Sequence, residues 1–334
     1  MKLLIVTQAI DADHPILSFF LRWVKEFAKH CEEVHVVCLQ EGRHDLPDNV
    51  IVHSLGKENG GGRLVYLWRF YKYIWSLKGE YDQVFVHMNQ IYVILGWPIW
   101  SVFRKRISLW YMHGSVPYSL RVAEKLVDKI FTGSPESFRL KSNKVEVTGH
   151  GIDTELFKPL DNVEKDLDII TVGRITPSKN LDTLIDLFAE IRKQKNVTLT
   201  IVGSSVTDLE MEYETKLKQK VDSMGLADAV KFYGRVAQPD LPEVLNRAKL
   251  FVTVAQNGSL DKVVLEAMAC GLPVVSMAPG TMSLKLGEGQ VSIRKDFVGK
   301  CLRFRSSNKQ KEPSDYETLK RHNVVNLIPK LIQS

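Results

Sequence analysis

Two doubly wound parallel α/β sheets in succession are what this sequence predicts, and three observations predict them. Short apolar, β-branched runs alternate with amphipathic helical patterns from Leu3 onward, the β, α, β order that builds parallel sheets. The 334 residues suit two domains of about 150 residues, each with its own core. Leu250 to Ser276, LFVTVAQNGSLDKVVLEAMACGLPVVS, reads as a complete strand, loop, helix and strand.

Composition narrows the class without choosing a substrate. A hydrophobic fraction of 44% and a charged fraction of 25% are ordinary for a soluble globular chain. The net charge of +6 and pI near 8.9 suit a nucleotide, an anionic lipid or nucleic acid alike. Cys31, Cys38, Cys270 and Cys301 form no CxxC and have no His-rich neighbourhood, so they read as reduced, buried thiols of a cytoplasmic protein, and no metal site is expected. The apolar run of Met1 to Val6 is too short for a signal peptide and is broken by Gln8, Asp11 and Asp13, so it reads as a buried first strand. No run of about 18 apolar residues occurs, and no membrane span is expected.

Leu3 to Thr7 is the first strand, followed by a helix from Ile16 to about His30 with Leu17, Phe20, Leu21, Val24 and Phe27 apolar. Asp11-Ala12-Asp13 could grip a divalent cation, but a solvated loop is the plainer reading; Asp166-Leu167-Asp168 is weaker still. Val34 to Leu39 and Val50 to Leu55 are further strands. Arg63 to Lys78 follows Gly60-Gly61-Gly62 as a helix whose Leu64, Leu67, Trp68, Tyr71 and Trp75 interleave with Arg63, Arg69, Lys72 and Lys78. Interleaved aromatic and basic residues suit the headgroup region of an anionic membrane, and Trp97 to Arg106 supplies a second such cluster. No nucleic-acid-binding motif accompanies the charge.

Asp82 to His87 is a strand ending in His87, Met88 and Asn89, where open α/β sheets bind ligands, so His87 and Asn89 are candidate acceptor contacts. Ile91 to Phe103 fits a buried helix. Ile107 to Met112 is a strand ending in His113, which could take a proton from a hydroxyl or bond to a sugar, although a structural histidine is the blander reading. Asp168 to Val172, Val197 to Val202 and Val230 to Tyr233 continue the strands, and Leu241 to Ala248 is a small helix. The loop from Gln256 to Ser259 opens the helix carrying Val263, Val264, Ala267 and Met268; unpaired backbone N–H groups at such a helix start are a seat for phosphate. Ser306 to Ser314 is a polar loop and Tyr316 to Ile332 a closing helix.

The residues LDKVVLEAMACGLPVV resemble the sugar-nucleotide helix of the GT-B glycosyltransferases of family 4, in which a Glu, seven residues and a second Glu precede Ala-Met-Ala-x-Gly-x-Pro-Val-Val. Gly173-Arg174 with Lys179-Asn180, and LWYMHGSVPYSLRVAEKLVDKIFTGSPESFRL followed by KVEVTGHGIDTELF, carry the resemblance over most of the chain. It implies two Rossmann-like domains facing across a cleft, with His113 in the donor site and Arg174 and Lys179 as catalytic cations on the departing diphosphate. Gly173, Gly203, Arg235 and Val236 would border the nucleotide, and Glu266 would hold the ribose. The first Glu is replaced here by Gly258, with Ser259, Leu260, Asp261, Lys262 and the loop amides left to address the sugar.

The expectation is then a cytoplasmic, retaining, metal-independent glycosyltransferase without a cofactor, moving sugar from a UDP- or GDP-sugar to a glycan or lipid-linked acceptor in cell-surface polysaccharide or glycolipid synthesis. Peripheral contact at the inner face of the cytoplasmic membrane belongs to the same expectation. Residues 1–155 would bind the acceptor, 156–315 the nucleotide sugar, and 316–334 would pack back on the first domain. A non-catalytic nucleotide-sugar-binding partner, or an epimerase or phosphorylase on the same fold, remain alternatives.

Overall fold

The computed structural model describes residues 1–256, 258–284, 286, 289–291, 294–304 and 313–333. The chain divides into two compact units, Met1–Gly151 with Asn323–Ser334, and Ile152–His322.

In the first unit β1 (Lys2–Ile10), α1 (Phe20–His30), β2 (Glu33–Glu41), β3 (Val50–Ser54), α2 (Arg63–Ser76) and β4 (Gln83–His87) are followed by α3 (Gln90–Val102), β5 (Arg106–Trp110), α4 (Tyr118–Leu126), β6 (Lys129–Thr132) and β7 (Val145–Val147). Its seven strands lie in the order β3-β2-β1-β4-β5-β6-β7 and pair in parallel. β1 is buried along most of its length, as a central strand covered on both faces must be. The winding reverses between β1 and β4, so their carboxyl ends flank the switch point of this sheet.

The second unit contains β8 (Leu167–Val172), α5 (Leu181–Gln194), β9 (Leu199–Val202), α6 (Asp208–Ser223), β10 (Val230–Gly234), α7 (Leu241–Arg247), β11 (Ala248–Thr253), α8 (Lys262–Ala269), β12 (Val274–Ser276), α9 (Arg294–Phe304) and α10 (Pro313–His322). The parallel order is β10-β9-β8-β11-β12, which puts its switch point between β8 and β11. Leu184, Leu187, Phe188 and Ile191 of α5 pack into one core with Leu199, Ile201, Leu250 and Val252. Each such side chain removed from water contributes about 1.5–3 kcal/mol relative to an exposed one. The last helix, α11 (Val324–Gln333), belongs to the first unit and buries Val324, Leu327, Ile328 and Leu331, packing on α1.

Several elements differ from their expected outlines for physical reasons. The first helix starts at Phe20 rather than Ile16, because His14 Nδ1 accepts hydrogen bonds from the amides of Ile16 and Leu17 and holds that stretch as a turn. On α2 the buried side chains are Phe70 and Ile74, while Leu64, Trp68 and Trp75 of the expected apolar stripe are exposed. α3 runs on through Pro98 and is buried on one face only, through Tyr92, Val93, Gly96 and Trp100. The single closing helix is two, since Asn323 accepts the Val325 amide with its side chain and starts α11 anew. Residues 306–312 of the expected polar loop, and Asn257, lie outside the described residues.

Candidate functional site

At the carboxyl ends of β8, β9 and β10 stand Gly173, Gly203 and Gly234, all with positive φ. Gly173 N donates to Val202 O and Gly203 N to Gly234 O, which sets the three turns side by side. Only glycine fits at 203, where a Cβ would lie 1.9 Å from the Gly173 carbonyl oxygen. The three glycines add no side chain of their own to the resulting ledge, which lies where open sheets receive ligands.

Across the switch point, the turn after β8 is tied to the loop after β11. Gln256 N donates to Ser178 O at 2.9 Å, and Asn180 Nδ2 to Val254 O at 3.4 Å. Lys179, in the 3-10 turn Pro177–Lys179, lies over Gly173 and reaches Asp261, its Nζ standing 2.8 Å from Oδ2. Asp261 is the residue immediately before α8, so the cation of one loop meets the amino end of the next helix. Their side chains are 18% and 15% exposed, so the pair is largely shielded from water.

Arg174 points to a different helix start. Its Nε is 3.1 Å from Glu210 Oε1 at the beginning of α6. Burial works to raise the Glu210 carboxyl, but hydrogen bonds from the Val206 and Thr207 amides and the charge of Arg174 carry it below the usual carboxylate range. The two expected cations therefore leave one turn toward separate carboxylates, Lys179 to α8 and Arg174 to α6. Arg235 is exposed beyond β10, with Val236 partly buried beside it.

The loop into α8 is fixed by close packing. Gly258 has φ +70°, Leu260 is buried, and a Cβ on Gly280 would lie 2.0 Å from the Ser259 carbonyl oxygen. One turn into the helix Glu266 is buried, and its burial raises the carboxyl above the ordinary range with Lys262 opposing. Burial pushes the Lys262 ammonium down to about 8, against the charges of Glu266 and Asp153.

In the first unit His113 follows β5 and is exposed. Its Nδ1 accepts the Ser115 amide at 3.0 Å and pairs with Ser115 Oγ at 2.7 Å. An accepting Nδ1 leaves the neutral ring's proton on Nε2, so His113 presents a hydrogen-bond donor. His87 is 1% exposed, stacked at 4.0 Å on Phe20 with Nδ1 3.2 Å from Thr7 Oγ1, and sits as a core residue rather than a surface contact. Asn89 caps α3 by accepting the Ile91 amide. Asp13 is engaged by Arg43, Asp166 by Arg247 and Asp168 by Lys249, and among the described residues no cluster of three His, Cys, Asp or Glu could hold a metal ion.

The exposed side of α2 and α3 carries Leu64, Trp68, Trp75 and Val102 at 82%, 62%, 55% and 74% exposure. Lys72 Nζ lies 5.4 Å from the Trp68 ring centre and Lys78 Nζ 4.2 Å from that of Trp75. No helix among the described residues is long and apolar enough to cross a membrane.

Glu210 and the Asp261 carboxylate's pairing with Lys179 are the site features sequence reasoning missed. The first had a signal: Thr207-Asp208-Leu209-Glu210 is a capping box that marks a helix start right after β9. The second is a tertiary contact spanning two loops and has no local signature.

Residues 152–290 match the family described as glycosyl transferases group 1. Mannosylfructose-phosphate synthase of Agrobacterium fabrum is 28% identical over 174 residues, covering 48% of this chain and 38% of that protein. D-inositol 3-phosphate glycosyltransferase of Frankia alni is 29% identical over 161 residues, covering 44% and 39%. The chain thus aligns with well under half the length of either relative. Over the full fold, the Anabaena protein Alr3699/HepE in complex with UDP has a TM-score of 0.76 at 21% identity, with 99% of this chain and 98% of that one covered. Sucrose-phosphate synthase from Thermosynechococcus elongatus gives 0.76 at 16%, covering 100% and 98%. The architecture is GT-B, two parallel α/β sheets with helices.

Proposed function

With residues 152–290 matching the glycosyl transferases group 1 and the chain built on a GT-B frame, we propose that this protein transfers a sugar from a nucleotide-sugar donor held at the β8/β11 switch point. The observation that carries the reading is the meeting of Lys179 and the start of α8 across that point, 2.8 Å apart at Lys179 Nζ and Asp261 Oδ2. Breaking the bond between sugar and diphosphate leaves negative charge on the β-phosphate. A fixed ammonium and the positive end of a helix dipole stabilise that charge without reorganising when it forms. Arg174, anchored by Glu210 on the same ledge, adds a second cation. Glu266 accepts hydrogen bonds from the ribose, and the glycine ledge lets backbone groups border the base.

The finer reading is a retaining, metal-independent hexosyl transfer in which the departing phosphate takes the acceptor's proton on the same face. The two fixed cations of the β8 turn support metal independence, since they supply the charge a divalent ion would. UDP is the first nucleotide to test, because the structurally similar HepE is known with UDP and with UDP-glucose. The acceptor would be a glycan or lipid-linked glycan held by the first unit, in cell-surface polysaccharide or glycolipid synthesis. Trp68, Trp75, Lys72 and Lys78 support contact with an anionic membrane at its cytoplasmic side. A second reading, a nucleotide-sugar-binding partner without turnover, is favoured by Gly258 in place of a carboxylate.

Thermal unfolding with UDP-, GDP- and ADP-sugars tests the reading. A ligand at about 100 times its dissociation constant adds roughly 2.7 kcal/mol of stability, and one nucleotide class should do so. If none shifts the transition the donor site is absent; binding without release of nucleoside diphosphate in the presence of any acceptor or water supports the partner reading.

A further inference from the structure

We propose that Glu210 is a positioning residue of the donor site: it holds the Nε side of the Arg174 guanidinium and so presents the opposite edge to the diphosphate. This rests on the donor-site reading above and adds a residue to it. Arg174 lies in the turn after β8, whose backbone is fixed on both sides of it, Gly173 N donating to Val202 O and Ile175 N to Ser204 O. The side chain is the part left to be ordered, because a long arginine loses rotamer freedom whenever it is held. Arg174 meets Glu210 through Nε, 3.1 Å from Oε1. The carboxylate is itself buried and fixed, its Oε2 accepting the Val206 amide at 2.9 Å and the Thr207 amide at 3.2 Å. Behind it α6 is tied to α5, where Tyr213 Oη donates to Asp182 Oδ1 and Lys220 Nζ to Asp182 O.

A guanidinium has two edges that can hold an oxyanion, Nε with one Nη and the two Nη together. With the Glu210 carboxylate at Nε, the paired Nη edge is the one for a ligand, and the Arg174 side chain is 43% exposed. Holding that fork in place beforehand takes the ordering cost out of the binding step. It also sets positive charge where the departing phosphate needs it. The carboxylate opposes this by its sign, since an anion beside Arg174 weakens the cation's attraction for a diphosphate. Positioning and neutralisation therefore predict opposite changes when the carboxylate is removed. The role of Glu210 is thus measurable apart from its place in the α6 capping box, where Thr207 Oγ1 accepts the Glu210 amide.

Titration calorimetry of the full chain with UDP, or with GDP should the thermal screen select guanine, tests the idea in a double-mutant cycle. A glutamine at 210 has one acceptor oxygen and can serve the loop amides or Arg174 but not both. Glu210→Gln should therefore bind UDP about tenfold more weakly than wild type. Glu210→Asp, which keeps the charge but is one methylene shorter, should weaken it alike and covers a folding defect of the first variant. In an Arg174→Ala background, Glu210→Gln should change UDP affinity by less than about twofold. Thr207→Ala, which loosens the same helix start and leaves the carboxylate in place, should lower the unfolding midpoint yet bind UDP as wild type does. Tighter UDP binding by Glu210→Gln assigns the carboxylate to neutralising Arg174 and overturns the proposal. Unchanged affinity overturns it too, as does an equal loss in both backgrounds or in Thr207→Ala, which would be structural; the donor site stands in each case. A wild type that binds no nucleotide removes the donor site and this inference together.

Discussion

The two switch points of this chain share a topology and differ in what fills them. In the first unit the carboxyl ends of β1 and β4 are plugged by aromatic packing: His87 stacks on Phe20 at 4.0 Å, and Trp23 meets Trp110 edge-on at 4.8 Å. In the second unit the ends of β8 and β11 carry glycine turns, loop-to-loop hydrogen bonds and the Lys179–Asp261 pair. Parallel winding creates a crevice in both sheets; rings pack the first, while a lysine–aspartate pair and glycine turns line the second. Fold supplies the place, and side chains decide whether the place is core or site.

Exchanging core for site chemistry should therefore have opposite consequences in the two units. The largest expected effect is Phe20→Ala, which empties the ring from under His87 and should cost about 3–5 kcal/mol of unfolding free energy in denaturant, with UDP affinity unchanged under native conditions. An equal loss of UDP binding would mean that the first crevice takes part in holding the nucleotide.

Acidification sharpens the contrast next. His53 hydrogen-bonds His35 at 3.1 Å, and burial, with His35 adding repulsion, pushes its ring down to about 4. An unfolded histidine titrates near about 6.5, so between that pH and about 4 the unfolded chain takes up a proton the folded one refuses. The stability is complete above this window and should fall by about 2 kcal/mol across it, discounting for partial exposure. Chemical denaturation at stepwise pH should show the slope in wild type and a shallower one in His53→Phe, the remainder coming from buried His35, which burial also holds below its ordinary value; an unchanged slope assigns the titration elsewhere.

The smallest effect belongs to the surface of the first unit. Trp68→Ser with Trp75→Ser should leave folding within about 0.5 kcal/mol and weaken sedimentation with phosphatidylglycerol vesicles several-fold. Unaltered sedimentation would remove the membrane role from α2.

Much of the second unit was legible because its chemistry is local. Gly173-Arg174, Lys179-Asn180 and the run from Gly258 to Glu266 each announce a turn or a helix start through residue types that few other conformations need. The helix from Asp208 was missed although its capping box was in plain view. The first unit was harder to read. Aromatic residues occupy both faces of α2, so periodicity favoured Trp68 and Trp75 over the truly buried Phe70 and Ile74. Nothing in the sequence near His87 distinguishes a ring facing a ligand from one stacked on Phe20, because that depends on a partner 67 positions away. The division of the two cations between Asp261 and Glu210 is likewise a product of how three loops assemble.

The central claim is that Lys179 and the start of α8 form the seat of a diphosphate, and calorimetry comparing Lys179→Ala with wild type tests it most directly. Removing the ammonium should weaken UDP binding about 100-fold, near 2.7 kcal/mol, while uridine, which lacks the phosphates, binds both proteins alike and the unfolding midpoint stays put. Equal affinity of the two proteins for UDP would contradict the account.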